Sequence, residues 1–189
     1  MIILISGKSG SGKSTLANAI KNCIHFSKHL DIDKINSENF LIEKVKIEAK
    51  KIFGENVLDK ENHINKKIIK EQIFSCPQKY DAWKAFMEKI NLETLNEIIK
   101  SSPNQTYIIE HVYAFELSFS NCINILAKVS DEERLKRLVF REKIDEKQLL
   151  LRDSKAPNYN EKDFDFVYDG KNFGEILELI QKKSKSKRI

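Results

Sequence analysis

No apolar run in this sequence approaches the ~18 residues that a membrane-spanning helix needs, and the stretch from Met1 to Ile5 is too short for a secretory signal. A cytoplasmic protein with no membrane partner is expected. Proline and glycine are scarce, at 3 and 6 residues, which excludes collagen-like and linker-rich chains. Cysteine is scarce too. Cys23, Cys76 and Cys122 stand far apart with no C-x-x-C pair, so neither a disulfide framework nor a zinc site is indicated, and all three read as reduced core thiols. His25, His29, His63 and His111 show no metal spacing; only His111, beside Glu110, reads as able to face a substrate. Acidic residues are missing from the last eight positions, where Lys182, Lys183, Lys185, Lys187 and Arg188 account for the whole net charge of +5. The body of the chain is therefore neutral, the basic tail (182–189) reads as a solvated end, and no nucleic-acid partner is expected. What remains is 189 residues, 41% hydrophobic and 32% charged, the composition of one ordinary globular domain.

The opening IILIS is a β-branched apolar run that stops at Gly7, as expected of a strand buried on both faces. Leu16, Ala17, Ala19, Ile20 and Cys23 then recur at helical spacing, which predicts a helix from Lys13 to Cys23. A second strand is expected around His29 to Asp33. From Lys34 to Phe53 the apolar residues follow a helix period that Gly54 ends. Helices are expected over Asn65–Phe74 and Tyr80–Lys100, where Tyr80, Trp83 and Phe86 offer packing surface. Strand signals return at Tyr107–Ile109, Ile123–Val129 and Phe164–Tyr168. Between the last two, Ser130 and Glu133 form a capping box that opens a helix to Glu142, followed by another over Glu146–Arg152; a final helix starts near Phe173. Strands alternating with helices predict an α/β fold, a parallel sheet with helices on both faces, interrupted by a helical insertion.

Residues Gly7 to Ser14 read GKSGSGKS, matching G-x-x-x-x-G-K-[ST] between a predicted strand and a predicted helix. Glycines allow the tight turn that aims successive N–H groups at phosphate oxygens, and the helix N-terminus adds partial positive charge. Gly7, Ser9, Gly10, Ser11, Gly12, Lys13, Ser14 and Thr15 are thus the expected nucleotide contacts. Lys13 would reach the β- and γ-phosphates of ATP and the Ser14 hydroxyl would ligate Mg²⁺. The guanine determinant N-K-x-D is absent, since Asn65 and Lys66 are followed by Lys67 and Ile68.

Arginine is the rarest base, 5 against 28 lysines, and four of the five lie between Arg134 and Arg152. Arg134, Arg137 and Arg141, at i, i+3 and i+7, fall on one helical stripe beside the apolar Leu135, Leu138 and Val139. A forked, permanently charged donor suits a phosphoryl group gaining charge during transfer. A carboxylate is needed near the acceptor hydroxyl, and Asp31 and Asp33, read as ending the second strand on the same side, both qualify; Asp33 is the preferred base. Glu110 and Glu116 come second, as Mg²⁺ or loop-fixing groups. Asp169 and Gly170, after the last strand, form a turn that could border the base.

Taken in order, these segments resemble the dephospho-coenzyme A kinase family over nearly the whole chain. The similarity comprises the GKSGSGKST loop, LDIDK at that family's D-x-D, IFGENVLDKENHINKKIIKEQIF, VYAFE, the lid-like ERLKRLVFRE, and FDFVYDGKNFGEIL. The resemblance implies a P-loop NTPase-type fold: a core of about residues 1–33 and 105–181, a substrate-binding helical insertion of about 34–104, and a lid of about 131–155. It also implies ATP-dependent phosphorylation of the ribose 3′-hydroxyl of dephospho-CoA. In this reading Asp33 is the base, Lys13, Arg137 and Arg141 stabilise the transferred charge, and Asp169 and Gly170 lie near adenine. The chain departs from the family pattern at Lys66, Asn91, Leu92, Val112 and Asp169, mostly acceptor-side positions. Two alternatives stay open: a nucleoside, nucleotide or other small-metabolite kinase, and a diverged ATP-binding module. A monomer or weak homo-oligomer is expected.

Overall fold

The computed structural model describes residues 1–142 and 145–185. Lys143 and Ile144, inside the span read as a lid, and Lys187 and Arg188 of the basic tail lie outside the described residues. In chain order the elements are β1 (Ile2–Ser6), α1 (Lys13–Cys23), β2 (Ser27–Asp31), α2 (Ile32–Asn39), α3 (Glu43–Phe53), α4 (Lys66–Ser75) and α5 (Pro77–Ser101). There follow β3 (Thr106–Glu110), β4 (Cys122–Ala127), α6 (Asp131–Glu142), α7 (Glu146–Asp153), β5 (Phe166–Tyr168) and α8 (Phe173–Lys185). Among the described residues no helix is long and apolar enough to cross a membrane. Two compact units emerge, one of residues 1–31 with 103–189, the other of residues 32–102.

The first unit holds a parallel sheet in the order β2-β3-β1-β4-β5, as the alternation of strands and helices predicts. β1 lies at its centre because IILIS is apolar on both faces: Ile3 and Ile5 point one way, Leu4 the other, and all three are buried. Ile3 and Ile5 share a core with Leu16, Ala17 and Ile20 of α1, Ile123 and Ile125 of β4, and Ile176 and Ile180 of α8. The stripe at i, i+1 and i+4 of α1 is what binds this helix to the sheet. The turn after β1 consequently starts at the carboxyl end of a central strand, at the switch in strand order where α/β sheets bind ligands.

The second unit is all helical. α4 is opened by Asn65, whose side-chain oxygen accepts from the N–H groups of Lys67 and Ile68, and α5 begins at Pro77, where the missing N–H is not needed. Trp83 is the centre of its core, edge-on to Phe53 at 5.3 Å and stacked with Phe86 at 5.9 Å.

Three expectations need correction. The helix period over 34–53 is broken: α2 stops at Asn39, and Leu41 and Ile42 turn the chain by donating to Glu38 and Asn39 carbonyls before α3 begins. β2 ends at Asp31, so Asp33 is not in a strand but in the first turn of α2, and strand alternation does not relate it to Asp31. No cysteine is a core thiol. Cys23 is exposed and Cys76 and Cys122 are half-buried, because each stands at an element boundary.

Candidate active site at the glycine loop

Close backbone approach shapes the loop between β1 and α1. A Cβ on Gly7 would lie 2.3 Å from the Ala127 carbonyl oxygen at the end of β4, and one on Gly10 would lie 2.9 Å from Leu138 Cγ on α6. Gly12 caps α1 in the left-handed region with φ of 96°, a conformation that costs glycine little, and no side chain caps the first-turn amides. The Ser11 N–H donates to the Lys8 carbonyl at 3.1 Å, and Lys13 Nζ folds back to the same carbonyl at 3.1 Å. Ser9, Gly10, Ser11, Ser14 and Thr15 thus surround or follow one tight turn. The Ser11 hydroxyl is 2% exposed and makes no hydrogen bond. It lines a cavity of about 270 Å³ together with Lys8, Ala127, Lys128, Arg134 and Tyr159.

Ser14 Oγ donates to Glu110 Oε2 at 2.9 Å, and Glu110 Oε1 lies 2.8 Å from His29 Nε2. Burial pushes the Glu110 carboxyl up, but the hydrogen bonds from His29 and Ser14 outweigh it and hold its pKa below the ordinary value. This carboxylate is therefore charged near neutrality while only 4% exposed. With the Ser14 hydroxyl it makes a set of hard oxygen donors, which fits Mg²⁺ rather than a softer metal.

The three arginines of α6 do not act alike. Arg134 is 2% exposed and engaged through all three guanidinium nitrogens: Nε donates to the Ser9 carbonyl at 2.9 Å, Nη1 to Asp131 at 2.5 Å and to Asp153 Oδ2 at 2.8 Å, and Nη2 to Asp153 Oδ1 at 2.5 Å. It leaves the guanidinium stripe read from the sequence and becomes an internal clamp. Arg137 does face the loop, with Nη1 donating to the Gly10 carbonyl at 3.3 Å while Nη2 pairs with Glu133. Arg141 is exposed in the last turn of α6. On the other side of the loop, the buried Ser6 hydroxyl accepts from the Phe115 N–H at 2.9 Å, fixing VYAFE beside β1.

After β5, Asp169 accepts from the Lys171 N–H at 2.9 Å, a bond that holds its carboxyl below the ordinary range, and Gly170 follows with φ of 96°. The pair is an Asx-type turn. In the helical unit Asp33 is exposed, and Lys66 Nζ donates to Ser37 Oγ at 3.0 Å while lying 5.3 Å over the Phe40 ring. Deeper in that unit, Asn91 Nδ2 donates to Asn36 at 2.8 Å, Asn39 Nδ2 to Asn91 Oδ1 at 3.1 Å, and Thr94 to Asn39 at 3.2 Å.

The family model of CoaE, dephospho-CoA kinase, matches residues 1–163, which include the loop, the helical unit and α6. The chain belongs to the dephospho-CoA kinase family. The dephospho-CoA kinase of Fusobacterium nucleatum is 29% identical over 146 residues, 76% of this chain and 75% of that protein. A solved dephospho-CoA kinase from Campylobacter jejuni aligns with 25% identity, a TM-score of 0.63 and 98% coverage of both chains. The protein TT1252 from Thermus thermophilus shares the fold, with a TM-score of 0.79, 21% identity and 97% coverage of both chains. As a member of the dephospho-CoA kinase family the chain is a kinase of coenzyme A biosynthesis, uses ATP and acts on a small molecule. The expected P-loop kinase fold is thereby borne out.

Sequence reasoning placed Arg134 in a charge-stabilising stripe rather than as a clamp, and passed over His29, Lys8 and Asp153 as parts of this site. For Asp153 a signal existed in the rarity of arginine, since a buried arginine needs a carboxylate and α7 supplies one. None existed for His29, whose partner is 81 residues away.

Proposed function

We propose that the chain transfers the γ-phosphoryl group of ATP to the ribose 3′-hydroxyl of dephospho-CoA. The observation that supports this most strongly is the glycine loop, its left-handed cap at Gly12 setting Lys13 and Ser14 at the head of α1 with Ser14 tied to a buried carboxylate. In this reading Gly7, Ser9, Gly10, Ser11, Gly12 and Thr15 hold the phosphates. Lys13, Arg137 and Arg141 meet the charge that develops on the transferred group, and Arg137 already touches the loop. Asp33, an exposed carboxylate, orients the acceptor hydroxyl and takes its proton. Asp169 and Gly170 border the adenine.

Ser14 would hold Mg²⁺, with Glu110 contributing through water. Bound there, the ion would supply neutralisation of the β- and γ-phosphate charge. The helical residues 34–104 are the acceptor-binding segment, residues 131–155 the lid that excludes water, and the protein works in the cytoplasm as a monomer or weak homo-oligomer.

The test supplies purified protein with ATP, magnesium and dephospho-CoA and follows product by phosphorus NMR. A 3′-phosphomonoester is expected. Phosphorylation of a nucleoside or nucleotide with dephospho-CoA untouched would replace this reading with that of a different small-molecule kinase. ATP binding without transfer to any of these would reduce it to a nucleotide-binding module.

A further inference from the structure

Arg134 presents a physical puzzle: a buried cation beside a loop that receives anions, yet with its N–H groups committed to protein partners. Its fork grips both oxygens of Asp153, at 2.8 and 2.5 Å, and a third bond reaches Asp131 at 2.5 Å. Two carboxylates neutralise it, and it is only 2% exposed, so it is not built to seize a phosphate. Its remaining contact is the informative one. Nε donates to the Ser9 carbonyl at 2.9 Å, in the middle of the loop.

A peptide unit is planar, and among the described residues there is no cis peptide bond, so the carbonyl of Ser9 and the N–H of Gly10 point in opposite directions across one rigid plane. Holding the Ser9 oxygen toward α6 therefore aims the Gly10 N–H away from α6. The same carboxylate that locks Arg134 also accepts from Lys8 Nζ at 3.3 Å, so α7 braces the loop at two successive residues. Leu138, one turn along from Arg134, packs where a side chain at Gly10 would otherwise stand.

We propose that Arg134, locked by Asp153, is a positioning residue for the donor nucleotide: it sets the Ser9–Gly10 peptide so that the Gly10 amide is presented to a phosphate oxygen. This rests on the reading that the loop of residues 7–14 binds ATP. The lid helices thus shape the loop through a bond that involves no nucleotide contact, and the donor site is pre-organised by α6 and α7.

The experiment compares Arg134→Lys, Asp153→Asn and Asp153→Glu with the parent protein, measuring KM for ATP, KM for dephospho-CoA and kcat separately. Lysine keeps the charge but lacks the planar fork, so it cannot bridge Asp153 and the Ser9 carbonyl together. KM for ATP is expected to rise roughly tenfold in Arg134→Lys, the scale of losing one well-aimed bond to a charged group. KM for dephospho-CoA should be unchanged, and kcat should fall by less than the rise in KM for ATP. Asp153→Asn should act in the same direction, and Asp153→Glu, which retains the carboxylate, should recover most of the affinity. A purely structural role would lower the active fraction, and hence kcat, at constant KM. That outcome in the folded variants, or an unchanged KM for ATP, would overturn the inference. Lys13→Ala, measured in parallel, separates the two readings: ATP binding untouched by that change would mean the loop is not the donor site at all.

Discussion

The glycine loop and the helical unit are built on opposite principles. In residues 7–14 the main chain forms the site, and side chains matter mostly by being absent, as where Gly7 meets the Ala127 carbonyl. In residues 32–102 the backbone is ordinary helix, and polar side chains make the pattern: the Asn36, Asn39, Asn91 and Thr94 ladder inside, and Lys66, Ser37 and Asp33 at the surface. A loop of this kind grips what all nucleotides share, their phosphates. The helical unit can vary one side chain at a time, and the departures at Lys66, Asn91 and Leu92 all fall there. On the proposed assignment of the loop to the donor and the helical unit to the acceptor, donor recognition would be fixed by geometry and acceptor recognition adjustable by composition.

The contrast breaks most sharply at Gly7. Gly7→Ala places a Cβ against main chain that cannot rotate away, and calorimetry with ATP and magnesium should detect no binding heat from a protein that still gives a helical dichroism spectrum. The helical unit should fail through one functional group instead: Asp33→Asn is expected to lower kcat by roughly 10³ while leaving ATP affinity intact, the scale of a lost general base. Comparable turnover in the two proteins would refute that assignment.

Smaller effects sharpen the same line. Trp83→Ala removes the centre of the helical core and should cost about 3 kcal/mol of stability, read from urea unfolding. Glu110→Gln, at the Ser14 hydroxyl, should reduce kcat/KM for ATP by roughly tenfold, as expected for weakening one charge-assisted contact. Its pH dependence has a definite sign. The native Glu110 pKa lies below the ordinary 4.5, so its carboxylate adds stability above pH 4.5 that is lost as pH falls through the lowered value. The stability gap between parent and Glu110→Gln should be present at pH 6 and shrink steadily below pH 4.5, and a gap that grows on acidification would contradict the assignment.

Legibility followed the range of the forces involved. The loop and the limits of α1, Lys13 to Cys23, could be read because both depend on neighbours in sequence: glycines for the turn, Leu16 and Ile20 for the buried stripe. The same reasoning stumbled at Phe40 to Ile42, where a helix period carries across a turn, and at Asp33, where apolar spacing cannot distinguish the end of a strand from the first turn of a helix. It also gave Arg134, Arg137 and Arg141 one shared role. Their spacing is a property of one helix, but their division is imposed by Asp153 on another.

By itself the amino-acid order determined a strand, a phosphate-type turn and a helix, the alternation that makes a parallel sheet, and the set of charged groups available for chemistry, because each arises from residues within a few positions of one another. Only the tertiary structure decided which charges are used and how. The approach of β3 to α1 delivers Glu110 to Ser14, the neighbouring β2 brings His29 to the other oxygen of Glu110, and the packing of α6 and α7 on the loop turns Arg134 inward and leaves Arg137 facing Gly10. Burial and pairing at such sequence distances depend on the whole fold, and a local pattern carries no record of them.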